Sequence, residues 1–568
     1  MLKGIACSHG IGIGNIVRLA GHEPEYHNTA VTDTQAEIRR LKNALERFEE
    51  DTLHLAEIVK EQIGPAEAQI ILQQAIIASD PSILEEIETR ILEGQCAEAA
   101  FATVCDMFCQ MLDSKDDDLI RQRSSDVADV KNAVLRILLG VKEIDISQIP
   151  PGAVLIAKDL TPSMAAKIKK ELVSGIVTEK GNTTSHTAIL ARALEIPAVL
   201  GVSHVTEFAN ANTIAVVDGD QGLVFINPDE EQLTAYRAKR ETFLQKQAHW
   251  NQFLTKPTLT ADGKGLELLC NIGASGDAQK VLANGGEGIG LLRTEFLFMD
   301  AAKMPDEEEQ FEAYKHAVLS MKGRVVIIRT LDVGGDKDIP YLHLKSEANP
   351  FLGFRGIRYS LGNPETFRVQ LRAILRASAF GKVKIMLPLV TCIEELRSVR
   401  SMIASLGEQL SEAGIRYDSN LEVGCMIETA SASLIADLLA KESDFFSIGT
   451  NDLVQYTMSV DRGNPDIAYL YSAFQPSVLR SIRHIITCAA KAGIPVGMCG
   501  EAAADAMMIP LLLSFGLTEF SVNPSDVPRV RCILSGWTKV KADAIAGKIM
   551  EMKTVAEILT YLEKAIEK

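Results

Sequence analysis

The sequence predicts a multidomain protein of mixed α/β and α class, in which an α/β domain carries a helical insertion and is followed by a (β/α)8 barrel of the TIM type. Three observations predict it. The chain has 568 residues, too many for one hydrophobic core. Its apolar periodicity changes twice, from short β-type runs to a long helical stretch and back again. From about residue 262 a strand–helix alternation recurs eight times, and unusual polar residues fall at the ends of its strands.

Residues 1–20 are apolar and glycine-rich, with strand-like stretches at 4–7 and 16–19. From Asp33 the pattern changes. Ile38, Leu41, Leu45 and Phe48 recur at helical spacing between charged residues, and Leu55, Ile58 and Val59 continue the stripe. Few glycines or prolines interrupt it before about residue 143, so 33–143 reads as a domain of several helices. A Pro-Pro turn within 148–152 ends that character. β-type runs return at 153–157, 175–178, 213–217 and 223–226, alternating with helices, which makes 144–228 a compact α/β unit. The strands of 1–32 join this unit, and the helical domain becomes an insertion in it. Segment 229–261 is a linker helix, polar over 230–254, with a basic stretch at Arg237, Lys239 and Arg240. The barrel occupies 262–568, with strands expected at 265–272, 288–296, 324–332, 383–390, 421–428, 445–450, 494–500 and 519–523.

Asn271, Arg293, Arg329, Glu428, Asn451, Asp452 and Cys499 all sit at or just after the ends of these strands. Strand ends converge at the C-terminal rim of a barrel, which is where barrel enzymes assemble their chemistry. Residues chosen for packing alone would not be distributed in this way.

A net charge of −17 opposes general affinity for nucleic acid or for an acidic membrane, and leaves room for a basic partner. The start, MLKGIACSHGIGIGN, has neither the apolar core nor the cleavage site of a signal peptide. No apolar run reaches the roughly 20 residues that span a bilayer. A cytoplasmic location is the expectation. The ten cysteines are scattered without CxxC pairs, so they read as reduced, buried small hydrophobes. Cys105 and Cys109 share a helical face, but no further ligand stands near them in sequence, and packing is the expected role. Neither G-x-G-x-x-G nor G-x-x-x-x-G-K-[ST] occurs, which argues against a dinucleotide or P-loop nucleotide site.

The most telling motif is GNTTSHTAILARALEIPAVLG, residues 181–201. Polar residues lead into Ser185 and His186, and an apolar helix then runs over 187–194. His186 therefore stands at a helix N-terminus, where free backbone N–H groups and the macrodipole favour an anion. The same field disfavours imidazolium and leaves a neutral nitrogen able to attack phosphorus. An isolated histidine is more commonly a cap or a core residue; the TTSH setting reverses that preference.

The run G-x-x-T-S-H-T-x-I-x-A-R resembles the phosphohistidine motif of enzyme I of the bacterial phosphoenolpyruvate:sugar phosphotransferase system, with Asn182 in place of a second glycine. The motif is shared with phosphoenolpyruvate synthase and pyruvate phosphate dikinase. NPFLGFRGIR at 349–358 and SIGTNDLVQYTMSVDRGN at 447–464 extend the resemblance to enzyme I through the barrel. The first domain is thereby expected to be a swivelling phosphohistidine domain, with His186 as the residue that takes the phosphoryl group.

Phosphoenolpyruvate carries a phosphate and a carboxylate, so its site needs several cations and a divalent metal. Arg293, Arg329 and Arg462 offer forked, permanent cations, and Glu428 and Asp452 offer hard oxygen ligands suited to Mg²⁺. Singly each is ordinary. The resemblance implies substrate binding by Arg293, Arg329, Asn451, Asp452 and Arg462, and Mg²⁺ ligation by Glu428 and Asp452. Cys499, between glycines in GMCGE at a strand end, reads as an accessible thiol; the resemblance implies that it protonates the enolate left when phosphate departs.

The resemblance further implies that the helical domain docks HPr, the histidine-containing carrier, and that the barrel forms a homodimer. A dikinase or synthase relative would need a large nucleotide-binding domain for which residues 1–32 leave no room. A catalytically dead regulatory paralogue would not need to keep the whole constellation. Gln74 stands where the family has a histidine, and Ala128 where it commonly has an arginine; both fall in the carrier-docking region.

Overall fold

The computed structural model describes the chain apart from residues 20–25, 63–64, 114–117, 142–145, 147–148, 161–163, 165–167, 182–184, 195, 210–212, 300, 302, 335–338, 346 and 567–568. Its contacts divide it into two compact units, residues 1–246 and 247–568.

The first unit is built on an eight-stranded sheet. Its strands are β1 (Leu2–Lys3), β2 (Ile5–Ser8), β3 (Ile11–Leu19), β4 (Ala153–Ala157), β5 (Val173–Thr178), β6 (Ala198–Leu200), β7 (Ile214–Asp218) and β8 (Leu223–Ile226), in the order β1-β8-β7-β3-β4-β5-β6-β2. β3 lies parallel to β4, with Ile16 opposite Val154, although more than a hundred residues separate them in sequence. The intervening chain forms helices Thr34–Gln62, Pro65–Ala78, Pro81–Leu92, Ala97–Asp113 and Asp118–Leu139. These close on a core of their own that includes Leu41, Phe48, Ile87, Ile91, Phe101 and Val134. Burying one apolar stripe per helix makes this bundle a separate core, which is why it interrupts the sheet without disturbing it. Strand β6 was not expected from sequence. Its three residues follow Pro197 at the end of a helical motif, too short to show a period of their own.

The helix Glu230–Asn251 buries none of its residues, in keeping with its polar sequence. Lys239 Nζ reaches the buried carboxylate of Asp218 at 2.7 Å, and Tyr236 packs on Phe225 with ring centroids 5.0 Å apart. Its first half is thereby fastened to the sheet.

The second unit is a closed, all-parallel barrel: β9 (Glu267–Ile272), β10 (Ile289–Arg293), β11 (Val326–Arg329), β12 (Val383–Leu387), β13 (Glu422–Ile427), β14 (Phe446–Ile448), β15 (Val496–Met498) and β16 (Glu519–Val522), with β16 pairing back onto β9. All eight strands expected from sequence are present, each shorter than expected: β9 is trimmed at its start, and the other seven end earlier because the ladder stops before the rim loops begin. Leu269, Leu291, Ile327, Met386, Met426, Phe445 and Cys499 form an apolar cluster of their own, while the opposite side chains of the strands meet the surrounding helices. Arg531, buried on a late helix, donates to the carbonyls of Phe253, Leu254 and Gly285 and to the hydroxyl of Thr258. The stretch just before the barrel is thus tied into it.

Candidate functional site

His186 is the first residue of the helix His186–Ala193. Ser185, extended at φ −64° and ψ 154°, is its N-cap and accepts from the Ala188 amide at 3.4 Å. The capping serine satisfies one of the first amides and leaves the helix end able to take an anion. Residues 182–184, the start of the expected motif, lie outside those described.

In the second unit, the C-terminal rim gathers its charges from several strand ends into one buried chain of alternating sign. Arg329, the last residue of β11, donates from Nη2 to Glu295 Oε1 at 3.0 Å and pairs through Nη1 with Asp332 Oδ2 at 3.2 Å. Arg355 forks onto Asp332 at 3.0 and 3.1 Å and reaches Asp452 Oδ2 at 2.9 Å. Arg462, more exposed, stands 3.5 Å from Asp452 Oδ1. Burial opposes the charge of Arg329 and Arg355, but the carboxylates of Glu295, Asp332, Asp452 and Glu428 outweigh it and raise both guanidinium pKa values. These arginines are permanent cations held in place, and Arg329 Nε is buried with no hydrogen-bond partner among the described residues.

Glu428 follows β13 and is 2% exposed. Its Oε1 accepts from the Leu389 amide at 2.7 Å. Burial, reinforced by Asp452 and Asp332, pushes its carboxyl up to about 8. Gly449 makes space for it, because a Cβ there would meet Glu428 Oε2 at 2.5 Å. Asp452 sits in the first turn of the helix Thr450–Met458, and among the described residues its buried Oδ1 accepts no hydrogen bond. Two buried carboxylates that repel one another, one with an oxygen left over, are a donor set that a small divalent cation would satisfy. Mg²⁺ is characteristically held by one or two carboxylates and completed by water and substrate oxygens. Among the described residues no cluster of three or more His, Cys, Asp or Glu exists that would hold a metal alone.

Arg293 ends β10 and is exposed at the rim, yet enough protein crowds its guanidinium that desolvation, and then the charge of Arg329, lower its pKa. Asn451 turns toward Glu501, donating to Oε1 at 3.3 Å and accepting from its amide at 3.4 Å. Cys499 departs from the sequence expectation of an accessible thiol. It is 5% exposed, packed among the barrel's interior side chains, with its Sγ 3.8 Å from the Ile448 carbonyl. Flanking glycines lent the appearance of openness, but the strand end turns the side chain inward. Burial pushes the thiol up to about 11, against the lowering influence of Arg329, so it stays protonated at neutral pH. Asn271 spans strands, donating to the carbonyls of Cys499 and Ser521 and accepting from the Ser521 hydroxyl.

Sequence reasoning passed over Glu295, Asp332 and Arg355. Each is a charged residue directly after a strand or inside a quoted motif, and each is buried. A charge embedded in RTEF, TLDVGG or GFRG, where neighbours are apolar or glycine, was the available signal. In the helical domain, Gln74 is buried with no partner for its Nε2 among the described residues, and Ala128 is partly exposed on the helix Asp118–Leu139. Cys105 is 2% exposed and Cys109 donates to the Ser124 carbonyl, in line with packing roles.

Three family models match the chain: PEP-utilising enzyme, N-terminal over residues 3–123; PEP-utilising enzyme, mobile domain over 149–222; and PEP-utilising enzyme, PEP-binding domain over 247–538. The chain is 42% identical over 564 residues to the phosphoenolpyruvate-protein phosphotransferase of Listeria monocytogenes, covering 99% of each. It is 40% identical over 567 residues to the protein of the same name from Bacillus subtilis, covering 100% of each, and 42% identical over 564 residues to that of Geobacillus stearothermophilus, covering 99% of this chain and 98% of the relative.

Proposed function

We infer the route of the phosphoryl group from one premise: the chain belongs to the phosphoenolpyruvate-protein phosphotransferase family, the general kinases of the sugar phosphotransferase system. It is a transferase that takes its phosphoryl group from phosphoenolpyruvate and delivers it to protein. His186 is the acceptor within the chain, and a histidine of the carrier HPr is the next. The observation that carries this reading is the rim of the barrel, where fixed arginines meet two buried carboxylates with an uncommitted oxygen.

Arg293, Arg329 and Arg462 bind the anionic oxygens of phosphoenolpyruvate, with Asn451 and Asp452 fixing its orientation. Glu428 and Asp452 would hold Mg²⁺, which when bound neutralises charge on the transferring group. The His186 nitrogen attacks phosphorus; the N–P bond forms, the bridging P–O bond breaks, and the enolate of pyruvate leaves. Cys499 gives its proton to C3 of the enolate, yielding pyruvate, and regains one from solvent. His186 and the rim belong to different units, so the phosphohistidine domain, residues 144–228 with the strands of 1–32, swivels between rim and carrier. The helical domain, 33–143, docks HPr; of its two departures from the family pattern, Gln74 is buried and Ala128 is the one partly exposed toward a carrier. Exposed Leu352, Phe354 and Tyr469 suit the barrel, 262–568, to pairing with a second copy. Action in the cytoplasm belongs to the same reading; among the described residues no helix is long and apolar enough to cross a membrane, and 229–261 is the linker, helical over Glu230–Asn251.

Incubation with labelled phosphoenolpyruvate, Mg²⁺ and HPr tests the reading. Label should appear on His186 and chase to HPr; His186→Ala should bind phosphoenolpyruvate and take no label. Label that persists in this variant, or efficient labelling by ATP, would sink it.

A further inference from the structure

We propose that Asp332 is a positioning residue that sets the substrate arginine and the metal-side carboxylate together, by acting as the joint between Arg329 and Arg355. The proposal rests on the roles given above to Arg329 and Asp452.

Asp332 is 1% exposed and lies three residues beyond Arg329, just past the end of β11. Its amide donates to Glu295 Oε1 at 2.8 Å, the same oxygen that takes Arg329 Nη2. The loop therefore delivers its carboxylate in a fixed pose. Its Oδ2 meets Arg329 Nη1 and also accepts from Arg355 Nη2, while its Oδ1 accepts from Arg355 Nε. Gly356 lets the Arg355 segment come close: its φ of +59° suits glycine, and a Cβ there would crowd Leu389 at 2.9 Å and Asp332 Oδ1 at 3.3 Å.

The electrostatic consequence lies at Asp452. Arg355 is shared between two carboxylates, so its charge is divided, and it engages only Oδ2 of Asp452. Among the described residues Oδ1 accepts no hydrogen bond, with Arg462 Nη1 3.5 Å away. Without the negative charge of Asp332, Arg355 would belong to Asp452 alone. A guanidinium facing one carboxylate prefers the two-pronged pair, which would occupy both oxygens and compete with a cation. Arg329 would at the same time lose one of the two carboxylates that aim it. Asp332 acts on the Asp452 oxygen left for the cation through Arg355, and on the substrate side through Arg329.

Mn²⁺ binding to the full-length protein, followed by electron paramagnetic resonance, separates the possibilities. The set is wild type, Asp332→Asn, Glu295→Gln and Asp452→Asn, with thermal unfolding measured on each. Asp452→Asn should abolish the site. Asp332→Asn should weaken Mn²⁺ about 10–100-fold, the usual loss for an outer-shell partner, while Glu295→Gln, which does not touch Arg355, should leave it within about twofold. If Asp452→Asn abolishes binding and Asp332→Asn leaves it intact, the positioning role is overturned and the site reading survives. If Asp452→Asn has no effect, the site reading falls and the proposal with it. Should Asp332→Asn fail to fold, Arg355→Lys breaks the same fork: weakened Mn²⁺ binding supports the joint, and unchanged binding overturns it.

Discussion

Gly449 and Cys499 show how little freedom single atoms have at this rim. Gly449 has no side chain because Glu428 needs the volume a Cβ would take. Gly449→Ala should push the Glu428 carboxylate aside and cut turnover about 10²-fold, the scale of one misplaced electrostatic partner, while costing about 1–3 kcal/mol through overpacking. Steady-state kinetics and urea unfolding check both numbers, and wild-type turnover would mean that Glu428 does not act. The Cys499 thiol is held protonated by burial, so it is suited to give a proton. Cys499→Ser is nearly isosteric but far less acidic, and should bind substrate normally while losing most deuterium uptake at C3 of pyruvate. Equal uptake in variant and wild type would leave Cys499 as packing. Sequence marked the arginines and carboxylates because their motifs are long. It could not mark Arg355 or Asp332 as partners, since nothing along the chain says that positions 332, 355 and 452 meet.

At the scale of elements, the eight barrel strands were legible because each is a short apolar run between helix-length segments, a pattern that neighbours repeat. Strand β6 was not, because its partners β2 and β5 define it more than its own residues do. The far mouth of the barrel carries a feature that periodicity also conceals. Glu519 opens β16 opposite Glu267 of β9, and Gly497 of β15 leaves room for its carboxyl, since a Cβ there would meet Oε1 at 2.3 Å. Burial, then the Glu267 charge, pushes Glu519 up to about 8, with Lys384 opposing. The folded state therefore holds this proton more tightly than the unfolded chain does. The resulting stability is fully present below about 4.5 and is lost as pH rises toward 8. Glu519→Gln should flatten the dependence of Tm on pH over that window and raise Tm at pH 8. A variant whose Tm falls in parallel with the wild type would rule this out.

Over the whole molecule, the helical bundle is invisible to the sheet that encloses it: β3 and β4 pair as though adjacent. That arrangement could be read from the sequence because helical and β-type periods alternate in blocks longer than any one element. The place where the barrel begins could not. A polar helix runs up to Asn251, and only Arg531, far away in sequence, reveals that the carbonyls of Phe253 and Leu254 are already bound into the barrel. A fragment of residues 247–568 should fold and bind phosphoenolpyruvate. A fragment beginning at 262 should be less stable by about 3–5 kcal/mol, because it leaves a buried guanidinium without those acceptors. Denaturant titration of the two fragments distinguishes them, and equal midpoints would show that the Arg531 contacts are dispensable.

Exchange between related genes meets the same constraint. A crossover upstream of Phe253 hands over the barrel together with the carbonyls that Arg531 grips, and the recombinant inherits a complete module. A crossover inside 253–261 joins one parent's loop to the other's arginine. Wherever the two lineages trace that loop differently, such hybrids are lost at folding, before their chemistry is ever tried. The seam that keeps this module whole lies upstream of Phe253, in a run of sequence with no motif to advertise it, and a single buried side chain sets it there.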